Sequence, residues 1–421
     1  MANPNYILSS DLSNLVEQNI EIISLILNLS SENYESTLYN FLDFFENSDK
    51  QVLNLIDIVY IFEIAIRIRA SKSDLLCHFL KDLESPQFKT DAFNIFEFNH
   101  EKLIRQLVSF DRDYKIRPCN MYFLFKSLKA SLFTITEIIE KFNEYYQTHK
   151  AFYYIHILHF AWFAPEIEQN DQNLFNLYSQ SFHKLHDMVK WDPIIEPFYS
   201  NYDLMKENDW KSLKMYRDTP ESTVFQIMEN DSVEYLQKRE SMNLNKTFSV
   251  NIYNPMLNVS NGNASLFDIS AYFASIRCFK YLLLNDVKLS EGEPLTSVAF
   301  GRFRLNEHWN SMNFAVAGGC TEIIHLLEHK KAVFSGCLAV SIQFHRYSIF
   351  EWLFVNKKDS KNDLFNLIQT CVDSNNVKSL LFILDFMKSA DYPMKKFDAN
   401  FKLDKSFCSE IVSSVFQLKN E

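Results

Sequence analysis

Residues 265–284, SLFDISAYFASIRCFKYLLL, decide how this chain is built, and residues 310–328, NSMNFAVAGGCTEIIHLLE, say the same thing again. In each, a short apolar helix built on small residues is followed by a tight turn and a second helix that ends in a Leu pair. Aligned, Phe267, Ile269, Ser270 and Ala271 fall on Met312, Phe314, Ala315 and Val316. Across the turn, Ala274, Cys278, Phe279 and Leu282 fall on Gly319, Ile323, Ile324 and Leu327. A helical hairpin of this size cannot bury its apolar faces alone, so two copies in succession call for neighbours and a stacked core.

Glycine usage carries the argument to the rest of the chain. Of 421 residues six are glycine, and all six lie at or after Gly262. The preceding stretch therefore holds no glycine-rich phosphate cradle and lacks the residue that tight hairpin turns most favour. With few prolines and long periodic apolar runs, the first half is expected to be almost pure helix. A composition of 47% hydrophobic and 15% aromatic residues, with 39 Phe and 20 Tyr, fills a large core and excludes a disordered chain. The net charge of −11 is uneven: residues 1–217 hold 21 basic against 30 acidic side chains, residues 218–421 hold 21 against 23. No long basic run exists, which argues against a nucleic-acid partner.

Taken in order, helical spacing is found over residues 11–29, 34–45, 51–70, 73–83, 91–96, 100–110, 119–128, 134–148, 152–163, 174–189 and 197–216, joined by short polar turns. The fold class expected is all-α: a solenoid of helical hairpins over residues 1–217, then an irregular stack of about five repeat units over 218–390, then a Lys-rich tail over 391–421. The join is RDTPES, residues 217–222. The units are 224–236, 265–284, 310–328, 337–354 and 363–384, with residues 243–262 as a long polar connection and the amphipathic residues 406–418 as a cap. Phe267, Met312 and Leu338 are 45 and then 26 residues apart, so the array is irregular. Two turn positions, Ala274 and His345, lack the glycine that such a turn favours.

The hairpins resemble ankyrin repeats, whose usual opening T-P-L-H-x-A survives as Ser265-Leu266-Phe267-Asp268-Ile269-Ser270. Residues 223–384 look like the divergent ankyrin-repeat proteins, greatly expanded in some protozoan parasites, that carry a long helical N-terminal region of unknown function. Ser265-Leu266 and Cys278-Phe279-Lys280, together with FAVAGGCTEIIHLL, carry the likeness. It covers under half of the chain and its motifs are structural. The resemblance implies a fold and protein binding, with no catalytic residue to carry over.

Several chemistry-bearing patterns have a plain packing reading beside the functional one. His156 and His159, and again His183 and His186, stand one helical turn apart, which is ligand geometry for a metal. Neither pair has a Glu next to the first His and the second His four residues on, and FYYIHILHFAWF around the first pair suggests core histidines. Cys77-His78 has no nucleophile signature, and the seven scattered cysteines suit small core residues of a reduced, cytoplasmic protein. No run spans a bilayer, since Asp57 and Glu63 interrupt the most apolar helix. Gly318-Gly319 is explained by turn geometry.

Two function classes remain. The first is a non-catalytic scaffold or adaptor that binds other proteins, with a component of a cytoskeletal or other multi-protein assembly as a subtype, and with no cofactor and no metal. The second is an enzyme of unrecognised type with its site in the helical N-terminal half. Under the first, docking is expected on the longest insertion, residues 287–309, where Arg302, Arg304, His308 and Trp309 belong to residue types enriched at interfaces. The alternative is that Phe303 and Trp309 pack back on the stack. Ala271, Ala315, Leu282 and Leu327 are expected to be buried between successive hairpins.

Overall fold

The computed structural model describes residues 10–47, 58–85, 100–109, 118–150, 153–184, 195–218, 222–238, 243–248, 252–253, 263–290, 309–357 and 364–390. Among them the chain is helical, apart from one two-residue antiparallel ladder. The first half runs α1 (Ser10–Leu27), α2 (Tyr34–Asn47), α3 (Ile58–Ile68), α4 (Ser73–Leu83), α5 (His100–Val108), α6 (Pro118–Lys129), α7 (Ile135–Thr148), α8 (Tyr153–Asn170), α9 (Gln172–Lys184), α10 (Glu196–Glu207) and α11 (Lys211–Asp218). Helix α6 is central: α3, α4, α5 and α8 all pack on it. The aromatic residues do what the composition implies, with Phe41, Phe62, Phe79, Phe123, Phe142, Phe160 and Trp162 buried in one core.

Two helices differ from the periodicity. Sequence spacing stops one helix at Phe163, yet α8 continues to Asn170 through a kink at Phe163 (φ −126°, ψ 18°). Pro165 causes it, because proline has no N–H for the carbonyl four residues back and its ring crowds that carbonyl. The expected helix over 197–216 is instead two, α10 and α11, divided where Asp209 (φ 55°) and Trp210 (φ 59°) take left-handed backbone.

The second half is a run of helix pairs: α12 (Ser222–Glu229) with α13 (Val233–Lys238), α14 (Leu266–Tyr272) with α15 (Ile276–Leu284), α16 (Ser311–Gly318) with α17 (Thr321–His329), α18 (Cys337–Gln343) with α19 (Tyr347–Asn356), and α20 (Leu364–Asp373) with α21 (Val377–Ser389). The first helices pack in succession, α12 on α14 on α16 on α18 on α20, and second helices pack likewise, α13 on α15 on α17 and α19 on α21. Ala271, Ala315, Leu282 and Leu327 are all fully buried between them. Small side chains on the first helices permit that approach, as the alignment of the two repeats requires.

One turn geometry joins the pairs. Asp231, Ala274, Gly319, His345 and Asn375, one in each turn, have φ between 47° and 85°. In four of them the next N–H reaches back five residues (Ser232 to Ile227 O, Ser275 to Ser270 O, Arg346 to Ser341 O, Asn376 to Cys371 O), the closed helix end that a left-handed residue creates. Ala274 and His345 thus take this conformation without glycine, at a cost of about 1–2 kcal/mol each. The lack of glycine there does not change the turn.

The connection over 243–262 is not merely polar. Thr247–Phe248 (β1) pairs antiparallel with Ala264–Ser265 (β2). Ile252 and Tyr253 are buried in the core of the first half, with the Tyr253 ring edge-on to Trp162. Conversely Val16, Ile64 and Ile68 of the first half belong to the core of the hairpins. Each half completes the other's core. Residues 91–96 and the tail over 391–421, with its expected cap at 406–418, lie outside the described residues.

Candidate interaction surface

The hairpins are locked together by polar contacts that recur in register. In three of the pairs the residue after the left-handed turn donates back to the preceding pair: Ser275 Oγ to Met228 O, Arg346 Nε to Ala317 O at 2.9 Å, and Asn376 Nδ2 to Ile342 O at 2.8 Å. Cys320 holds the corresponding place in the third pair. There the close approach is made by Gly318, where an added Cβ would lie 2.2 Å from Ala271 O and 2.7 Å from Tyr272 O. The Asp231 carboxylate accepts from the N–H groups of Arg277 (3.0 Å) and Cys278 (2.9 Å), capping α15 from the neighbouring pair.

A second ladder runs at the other end of the first helices. Ser265 and Asn310 each cap their own helix and close a reciprocal box with Asp268 and Asn313. Asp268 is fully buried, and its carboxylate accepts from Ser265 N (3.0 Å), Ser265 Oγ (2.7 Å), Ser290 Oγ (2.6 Å) and Ser311 Oγ (2.6 Å). Asn313 repeats the forward contact, its Nδ2 reaching Ser335 O at 2.9 Å and Cys337 Sγ at 3.4 Å. Four donors on one carboxylate offset the desolvation of its charge.

These contacts fix where the insertion emerges. Ser290 N–H donates to Ser311 Oγ at 2.9 Å and Ser311 N–H to Ser290 O at 3.1 Å, so both ends are clasped at the base of α16. Of the four residues expected to dock a partner, Trp309 is half-buried. Its ring lies edge-on to Phe314 (5.1 Å between centroids) and Phe344 (5.7 Å), packed back on the stack. Arg302, Arg304 and His308 lie outside the described residues.

The second helices face solvent, yet their charges pair across the stack: Arg277 with Glu234, Lys280 with Glu322 at 2.6 Å, Lys357 with Glu328 at 2.7 Å. At the C-terminal ends of those helices and the turns after them, three large apolar side chains are exposed among polar ones such as His329 and Lys330. Leu284 is 82% exposed, Val333 57% and Val355 61%. Leu284 and Val355 occupy equivalent places in the repeat, two pairs apart, a signal present in the alignment once exposure is known. This edge is also the one from which the insertion leaves.

Most of the remaining candidates that the structure describes are held in packing or backbone contacts. His159 is held by Tyr178 OH at Nδ1 (3.0 Å) and Val108 O at Nε2 (3.1 Å), stacked on Phe142. His156 stacks on Tyr178, and burial followed by the charge of His149 pushes it down to about 4. His183 lies against Phe182 and Tyr202, and His186 is outside the described residues. Burial pushes the thiols of Cys77, Cys278 and Cys337 up to about 12, far from a thiolate nucleophile. His78 turns away from Cys77, with Nδ1 on Asp74 O at 2.6 Å. Among the described residues no three His, Cys, Asp or Glu come together as metal ligands, and no helix is long and apolar enough to cross a membrane.

No protein family's sequence profile matches the chain, and neither a curated protein nor a solved structure matches it.

Proposed function

We propose that this chain is a non-catalytic scaffold that binds other proteins through a divergent ankyrin-type stack. The observation that carries this reading is the recurrence, through all five helix pairs, of a left-handed turn residue, with contacts from one pair to the next around it. Such repetition is the mark of a quasi-one-dimensional stack, in which each unit contacts its neighbours and the loop edge forms an extended surface for partners. The irregular spacing of units and the non-glycine turns make it a worn version of the repeat. Leu284, Val333 and Val355 provide apolar contact area along that edge, and Arg302, Arg304 and His308 belong to the insertion beside it. The partner is taken to be protein, with no cofactor.

The test is affinity capture from a lysate with the full chain, its Leu284→Glu/Val355→Glu variant and its Arg302→Ala/Arg304→Ala variant. A specific partner should be lost or weakened at least about tenfold by the edge variants, with helical content and melting unchanged. Retention of every captured protein by both folded variants would remove the loop edge as the docking site.

A further inference from the structure

Where the two halves meet, a crevice of about 460 Å³ opens between α1, the end of α3, and the starts of α19 and α21. Its charge is at odds with the rest of the molecule. Arg69, Arg346 and Lys378 line it, and none of the lining residues is acidic, in a chain of net charge −11.

The cations are held in place by groups that leave their charge uncompensated. Arg69 donates to Leu27 O and Arg346 to Ala317 O, both neutral carbonyls, and a guanidinium has five N–H donors. Lys378 rests its Nζ 4.1 Å from the centroid of the Tyr347 ring. Burial, and then the charge of Arg346, lowers the Arg69 guanidinium from its ordinary value, so the two cations bear on one another. The acid that acts on Arg69, Glu229, is itself paired with Lys72 at 2.7 Å.

The backbone adds to the same field. Helices α19, of 10 residues, and α21, of 13, both begin at the crevice, which Tyr347, Ser348, Val377 and Lys378 line. Helix starts carry partial positive charge and N–H groups without helical partners. Asn375, only 3% exposed, lines the crevice too, and its Oδ1 has no hydrogen-bond partner. The two ends of an amide are alike in shape, so a half-turn presents its NH2 group instead.

We propose that this crevice is a binding site for a small phosphorylated ligand, held by Arg69, Arg346 and Lys378 between the two halves of the chain. A compact multivalent oxyanion matches forked guanidinium donors and two helix starts, and the volume of the crevice suits a small molecule. The site is independent of the loop edge, so each can fail without the other.

The full chain is titrated with sodium pyrophosphate and with inorganic phosphate at constant ionic strength, followed by thermal melting and calorimetry. A saturable rise in melting temperature is expected, because a ligand of the native state stabilises it. Sodium chloride should give none. Lys378→Gln, which removes no backbone contact, should weaken binding about tenfold, and Arg346→Gln should weaken it at least as much. If Arg346→Gln does not fold, Lys378→Gln decides. Absence of saturation with both anions, equal affinity in Lys378→Gln, or binding of a phosphoserine peptide without either free anion would overturn the assignment.

Discussion

The hydroxyl of Tyr253 donates, at 3.3 Å, to the carbonyl of Ala161, the one that Pro165 leaves without its helical partner. The neighbouring carbonyl, Trp162 O, accepts from Arg217, which is buried and grips Glu166 through two bonds of 2.9 and 3.0 Å. A kink that would expose backbone groups to an apolar core is thus closed by Arg217 at the join between halves and by Tyr253 of the connection that follows.

Tyr253→Phe should therefore cost about 1–2 kcal/mol, since it leaves a buried carbonyl without a donor. Urea unfolding of the two proteins checks the value. The double variant Tyr253→Phe/Pro165→Ala should recover part of the loss, because alanine restores the N–H that Ala161 O lacks. No recovery would mean that the proline does not set the need for the hydroxyl.

Gly318→Ala places a Cβ 2.2 Å from Ala271 O, so the second and third pairs must separate, with a loss of about 2–4 kcal/mol. Ala274→Gly acts in the opposite direction. It relieves left-handed backbone at φ 56°, and after the entropy of the unfolded chain is counted the gain should be about 0.5–1 kcal/mol. Melting temperatures that move the same way in both variants would contradict this geometry.

Asp268→Leu removes the common acceptor of Ser265, Ser290 and Ser311 and should cost several kcal/mol, about 3 or more. Asp268→Asn keeps an acceptor and should cost less. Hydrogen exchange reports where the loss falls: protection should drop first in α14 and α16, on either side of the lost acceptor. A uniform drop through α1–α11 instead would show that Asp268 does not act locally.

His156 and His345 are both pushed down to about 4, chiefly by burial. The unfolded chain, with histidines near 6.5, binds more protons than the native state between these values. Stability is therefore whole above about pH 6.5 and declines as pH falls toward 4, by up to about 3 kcal/mol for each group. His156 has no hydrogen bond at either nitrogen and stacks on Tyr178, so His156→Phe should preserve stability at pH 7 and flatten its decline at pH 5. Equal slopes for variant and parent, from urea unfolding at both values, would show that His156 does not carry the decline. His159→Phe is the contrast, losing two bonds and stability at either pH.

The sequence alone determined that this chain is helical and where its clearest hairpins lie. Those are local properties: no glycine before Gly262, a period of apolar residues, small side chains at Ala271 and Ala315, and a register shared by residues 265–284 and 310–328. The polar ladder was half visible, since Ser265 and Asp268 recur as Asn310 and Asn313, but their forward reach to Ser311 and Cys337 exists only once the pairs are stacked. The tertiary structure decided that Ala274 and His345 take a left-handed turn, because packing of neighbouring pairs outweighs a cost of about 1–2 kcal/mol. It also decided that Ile252 and Tyr253 complete one core while Val16, Ile64 and Ile68 complete the other, and that Arg69 meets Arg346. Residues so far apart along the chain share no period or motif. Only the path of the folded backbone, set by the sum of many burials, brings them to one place.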